Sequence, residues 1–164
     1  MARTKPADPT ESRLVKVTLD DPTLAPASAP IEHERKAAIQ NLVEENTFVL
    51  ANGIKGPYEL CLGIVETRLV FNVRSPTDEP LAEFALPLEP FSKIMRDYFV
   101  VYDSYFRAIK TLTASQIETI DVGRRSLHDE GAEALRERLS DRVEIDLNTA
   151  RRLFSLICAL YQRL

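Results

Sequence analysis

All ten prolines of this chain of 164 residues lie at or before Pro90, and the remaining 74 residues contain none. Proline removes a backbone donor and breaks helix interiors, so long helices belong to the second half and short extended segments with turns to the first. Charge divides at the same point. Residues 1 to 90 carry nine basic and fourteen acidic groups, a balance of −5, and the rest carry twelve and eleven, a balance of +1. Neither half offers enough apolar surface for a core of its own. The reading is therefore a polar, disordered tail over residues 1–12 and a single domain over 13–164.

Within the first half, RLVKVTLD alternates Leu14, Lys16 and Thr18 with Val15, Val17 and Leu19, as a half-buried strand does. DDPTLAPASAP is a connector. Pro30 suits a helix first turn and Glu32 and Glu34 complement its dipole, so a helix is expected from Pro30 to near Asn46. ANGIKGP reads as a turn. YELCLGIVE and RLVFNVRS then form a hairpin, with Tyr58, Leu60, Leu62 and Ile64 facing the same core as Leu69, Phe71 and Val73. LAEFALPL supplies a third strand of an antiparallel meander, with Leu14 to Leu19 at an edge.

From Pro90 onward the period changes. Phe91, Ile94, Met95, Tyr98, Val101, Tyr102, Tyr105, Ile109 and Leu112 share one helical face. Ser115 is placed to cap a second long helix, SQIETIDVGRRSLHDEGAEALRERLS. RVEID is a short strand, and NTARRLFSLICALYQRL a last helix with Ala150, Leu153, Phe154, Ile157, Leu160, Tyr161 and Leu164 on one side. The fold class is α+β: a small antiparallel β-sheet of three to five strands packed against about four helices, with a helix-rich C-terminal half.

Several of these segments taken together resemble a known group. GPYELCLGIVETRLVFNVRS, DYFVVYDSYFRAI, SQIETIDVGRRSLHDEGAEALRERL and VEIDLNTARRLFSLICAL are similar, in order and spacing, to the uncharacterised protein family 0262, small bacterial proteins mainly of alphaproteobacteria. The resemblance covers about residues 30–164 and leaves out the first twelve residues and the proline-rich connector. It implies a soluble single-domain protein with no assigned activity, and it brings no catalytic residues with it.

Composition excludes more than it selects. A net charge of −4 argues against a general nucleic-acid binder. No apolar stretch is long enough to span a membrane, and MARTKPADPTES has no apolar core of a secretory signal. Cys61 and Cys158 are too few and too far apart for a disulfide framework or a zinc site, which points to the cytoplasm. Cys158 reads as a core thiol, and Cys61 as a thiol on the opposite strand face. No metal site or cofactor is expected, because His33 and His128 stand in no ligand spacing and no glycines form a phosphate loop. His33 reads as a surface residue.

One oddity remains. On the helix after Ser115, Arg124 and His128 fall in the middle of an apolar arc made by Ile117, Ile120, Leu127, Gly131, Ala134 and Leu135. A guanidinium there needs an acidic or hydrogen-bonded partner. Asp121 is nearest in sequence, and Asp97, Asp103 and the hydroxyls of Tyr98, Tyr102 and Tyr105 are others. Three readings follow: a polar network locking two helices, the seam of a dimer, or a pocket for a carboxylate or phosphate built from Arg124, His128, Tyr98, Tyr102 and Tyr105. A bend at Gly123 or Gly131 would dissolve all three. Arg151 and Arg152 with Arg124 and Arg125 form a modestly basic patch of the kind solvated helix faces carry. The expected function is a non-enzymatic interaction or regulatory domain, homodimeric through its C-terminal helices, with an unidentified protein partner. The alternative is a small-anion binding protein or enzyme using Arg124 and His128, and RNA or ribosome association comes third.

Overall fold

The computed structural model describes residues 9–24 and 28–161. In order the elements are β1 (Leu14–Leu19), α1 (Ala29–Glu44), β2 (Phe48–Leu50), β3 (Tyr58–Val65), β4 (Arg68–Arg74), β5 (Pro80–Pro87), α2 (Ser92–Thr111), α3 (Ala114–Leu139), β6 (Val143–Ile145) and α4 (Leu147–Leu160). The class is α+β, with a four-stranded sheet ordered β1-β3-β4-β5 and a separate pair, β2-β6. Of the tail expected over residues 1–12, residues 1–8 lie outside the described residues. Ser12 is buried, and its carbonyl accepts from the Phe48 backbone N–H. Part of the connector (25–27) and the last three positions, Leu164 among them, also lie outside the described residues.

β3, β4 and β5 form the antiparallel meander that the alternation demands. Tyr58, Leu60, Leu62, Leu69, Phe71 and Val73 are buried on one face, and Phe71 stacks on Phe84 of β5 with ring centroids 4.9 Å apart. β1 departs from expectation in two ways. It pairs parallel to β3, so the sheet is mixed at that edge, and its register shifts between Leu14 and Lys16. The bulge turns the chain over. Leu14 is therefore buried, whereas Val15, expected inside with Val17, is 39% exposed. Asn46, just past α1, accepts from the Leu14 N–H at 2.7 Å and donates to the Leu14 and Leu42 carbonyls at 3.0 and 2.9 Å. One side chain thus fastens the helix end to the edge strand.

α4 is the central helix. Nine of its residues are buried, including Phe154, Ile157 and Cys158, and α1 and α3 pack against it while α2 packs against α3. Asp146 caps its start by accepting from the Thr149 N–H at 2.8 Å. α3 begins at a capping box: the Thr113 hydroxyl accepts from the Gln116 N–H, and the Gln116 side chain accepts from the Thr113 N–H. That cap replaces the expected Ser115. The helix runs unbroken past Gly123 and Gly131. Gly131 is where α3 touches α4, because a Cβ there would sit 2.3 Å from the Phe154 ring.

The expected stripe on α2 is buried only in part. Met95 and Tyr98 pack into the core, but Ile109 and Leu112 are 49% and 42% exposed, and Phe106, outside the expected stripe, is 51% exposed. In the same stretch of α3, residues 114 to 126, no side chain is buried. α2 and α3 therefore pair with each other over this stretch, where no residue of α3 is buried.

Candidate functional site

The unbroken α3 keeps Arg124 and His128 one turn apart on the side that meets α2 and α4. Arg124 donates from Nε and Nη2 to Oδ1 of Asp121, at 3.0 and 2.7 Å, and also hydrogen-bonds Tyr98. Its guanidinium lies over the Tyr105 ring at 5.6 Å. Burial works against its charge, but the bonds to Asp121 and Tyr98 outweigh that and push its pKa up. Arg125 reaches the other oxygen of Asp121 at 3.1 Å and Glu118 at 3.3 Å.

His128 is held between the rings of Tyr98 and Phe154, with centroids at 5.5 and 5.2 Å. Its Nε2 is 2.7 Å from the Ser155 hydroxyl of α4. Burial pushes its pKa below the ordinary 6.5; Asp129 opposes this, and Arg124 and Arg151 reinforce it. Tyr98 is pushed above 10.0, first by burial and then by neighbouring Cys158, against the pull of Arg124. Asp129 does not turn to His128. It takes the Nε–H of Arg151 at 2.8 Å, as adjacent positions on a helix diverge.

These groups border a cleft of about 470 Å³ lined by Tyr98, Arg124, Arg125, His128, Asp129, Arg151 and Ser155. Of the five residues expected to form a site, Tyr98, Arg124 and His128 line it. Tyr105 supports Arg124 from behind. Tyr102 stacks against Tyr98 at 5.8 Å and opens instead onto a second hollow between α1, α2 and α4. Ser155 and the Arg151–Asp129 pair are additions. Arg151 and Ser155 stand four apart on α4, opposite the four-residue step of Arg124 and His128 on α3, and that matching period was their only signal in the sequence.

The charges of the cluster balance. Arg124, Arg125 and Arg151 face Glu118, Asp121 and Asp129, and Arg152 pairs with Glu45 at 3.4 Å and donates to its backbone carbonyl. The basic patch of the sequence is thus, among the described residues, a set of ion pairs. Among the described residues, no three His, Cys, Asp or Glu side chains are grouped to hold a metal ion, and no helix is long and apolar enough to cross a membrane. Cys158 is buried, Cys61 is half-buried, and neither is in a disulfide; His33 is exposed.

Residues 11–163 match the family described as Uncharacterised protein family (UPF0262), a span that takes in β1 and the connector as well as the segments from residue 30. The chain is 50% identical over 155 residues to the UPF0262 protein TM1040_3562 of Ruegeria sp. (strain TM1040), covering 92% of this chain and 98% of that one. It is 47% identical over 155 residues to the UPF0262 protein amb3341 of Paramagnetospirillum magneticum, covering 94% and 99%. It is 46% identical over 158 residues to a UPF0262 protein of Rhodopseudomonas palustris, covering 96% and 97%. No solved structure matches the chain.

Proposed function

The chain belongs to the uncharacterised protein family UPF0262, and from that premise we propose that residues 13–164 form one cytoplasmic interaction domain, pairing with a second copy through the helices of the C-terminal half. One observation carries this reading: the apolar stripe of α2 outruns the body that buries it. On a helical projection Met95, Tyr98, Tyr102, Tyr105, Phe106 and Ile109 fall within an arc of roughly 100°. Its first two members are buried, and its last two are about half exposed. An apolar patch of this kind marks an association surface more often than an accident of packing. A twofold arrangement lets the same patch cover itself. The two cysteines, neither in a disulfide, fit a reducing compartment.

Sedimentation velocity over a rising concentration series tests this. Dimer at high micromolar concentration is the expected result, with Phe106→Asp monomeric at every concentration and unchanged in far-ultraviolet circular dichroism. A native chain that stays monomeric throughout overturns it.

A further inference from the structure

Two hollows of different chemistry meet at Tyr98 and Ser155, which line both. The first, about 380 Å³ between α1, α2 and α4, is walled by apolar Ile31, Ala38, Phe99 and Ala159, with Glu34 and Asn41 of α1 also in its lining. The second is the cleft of Arg124, Arg151 and His128. Ser155 is exposed, so it forms a low saddle between them. An apolar slot that leads over one hydroxyl to a group of guanidinium donors suits an elongated molecule with an apolar body and an anionic head.

The polar end has donors to offer. Arg151 gives its Nε–H to Asp129 and an Nη1–H to Asn148, out of five N–H in a guanidinium. Ser155 Oγ, 2.7 Å from His128 Nε2, donates outward whenever that nitrogen carries the proton. A carboxylate on the saddle would add one negative charge to a cluster that already balances. The group placed to compensate it is His128. Tyr98 faces it from α2, Arg124 and Asp129 from its own helix, and Arg151, Ser155 and Phe154 from α4. Binding would therefore take up a proton, which draws the head toward Ser155 more strongly in mild acid.

We propose that this trough binds a medium-chain alkyl carboxylate, its chain lying between α1 and α4 and its head on Ser155 and Arg151. Such a site goes beyond the self-association reading and does not depend on it.

Isothermal titration with decanoate, below its micellar range and at constant ionic strength, is the test. Decanol supplies the chain without the charge, and acetate the charge without the chain. Saturable one-to-one binding of decanoate is expected, with decanol and acetate at least about tenfold weaker, equal to 1.4 kcal/mol. Ala38→Trp, which fills the apolar slot, and Arg151→Met, which removes the head contact, each weaken decanoate by a similar factor while circular dichroism stays native. Phe106→Asp leaves decanoate binding unchanged, which separates this site from the pairing surface. Non-saturating decanoate, decanol binding as tightly as decanoate, or native affinity in Ala38→Trp overturns the proposal.

Discussion

The two halves of α3 are one continuous helix under two regimes. From Leu127 onward it lies on α4 and buries Gly131, Ala132, Leu135 and Leu139. Before that point nothing is buried, and order rests on the Thr113 capping box, the pairing with α2 and the ion pairs of Glu118, Asp121, Arg124 and Arg125. Helices in proteins draw most of their stability from burying a face, and short-range pairs add tenths of a kcal/mol each. The second half is thus welded to the core. The first is a local structure, expected to open without unfolding the rest.

The two glycines of α3 test this division most sharply. At Gly131 an added methyl would sit 2.3 Å from Phe154 Cζ, inside a packed ring. Gly131→Ala is expected to cost about 1–3 kcal/mol in urea unfolding, as overpacked cores do. A Cβ at Gly123 meets nothing within 4 Å. Gly123→Ala should therefore gain about 0.5–1 kcal/mol from helix propensity alone. Two changes of the same sign would show that the halves do not differ as described.

Next in size is the cap. Thr113→Ala removes the hydroxyl that accepts from Gln116 and should cost about 1 kcal/mol. Its sign in hydrogen exchange is more telling. Amides of residues 114 to 126 exchange faster, and those of 131 to 139 keep their protection. Uniform acceleration would mean the helix opens as one unit. Asp121→Asn comes third, because Asp121 holds both Arg124 and Arg125 but the pairs are partly exposed, and the expected cost is about 0.5 kcal/mol. That cost should shrink as salt is added.

The same division explains what the sequence disclosed. Strands β3 to β5 were legible because Leu60, Leu62, Phe71 and Val73 alternate over seven or eight residues. β2 was not: at three residues, Phe48 to Leu50 offers no period, and it is a strand only because β6 lies beside it. The inversion at Leu14 and the parallel pairing of β1 depend on a bulge and a chain crossing that no local pattern encodes. On the site side, Arg124, His128 and Asp121 were readable from helical spacing. Ser155 carried only its four-residue step from Arg151, since a serine on an exposed edge gains meaning only when α4 brings it to His128. Ile109 and Leu112 showed the converse, a stripe that reads as core but is about half exposed among the described residues.

The smallest effect concerns the join between the regimes, where His128 stands. Burial keeps its folded pKa below the ordinary 6.5, with Arg124 and Arg151 adding to the depression and Asp129 reducing it. The unfolded chain therefore binds the proton first as pH falls. The stability tied to neutral His128 is complete above 6.5 and is lost as pH drops through the folded pKa. Tyr98 across the same contact has the opposite sign. Its raised pKa means that its share is complete below 10.0 and is lost as pH rises through the higher folded value. Urea midpoints should accordingly decline on both sides of a plateau. His128→Phe should flatten the acid limb between 6.5 and the folded value and leave the alkaline limb in place, because only the imidazole titrates in that window against Tyr98 and Phe154. An acid limb that survives His128→Phe unchanged would assign that slope to other groups and leave the imidazole as packing alone.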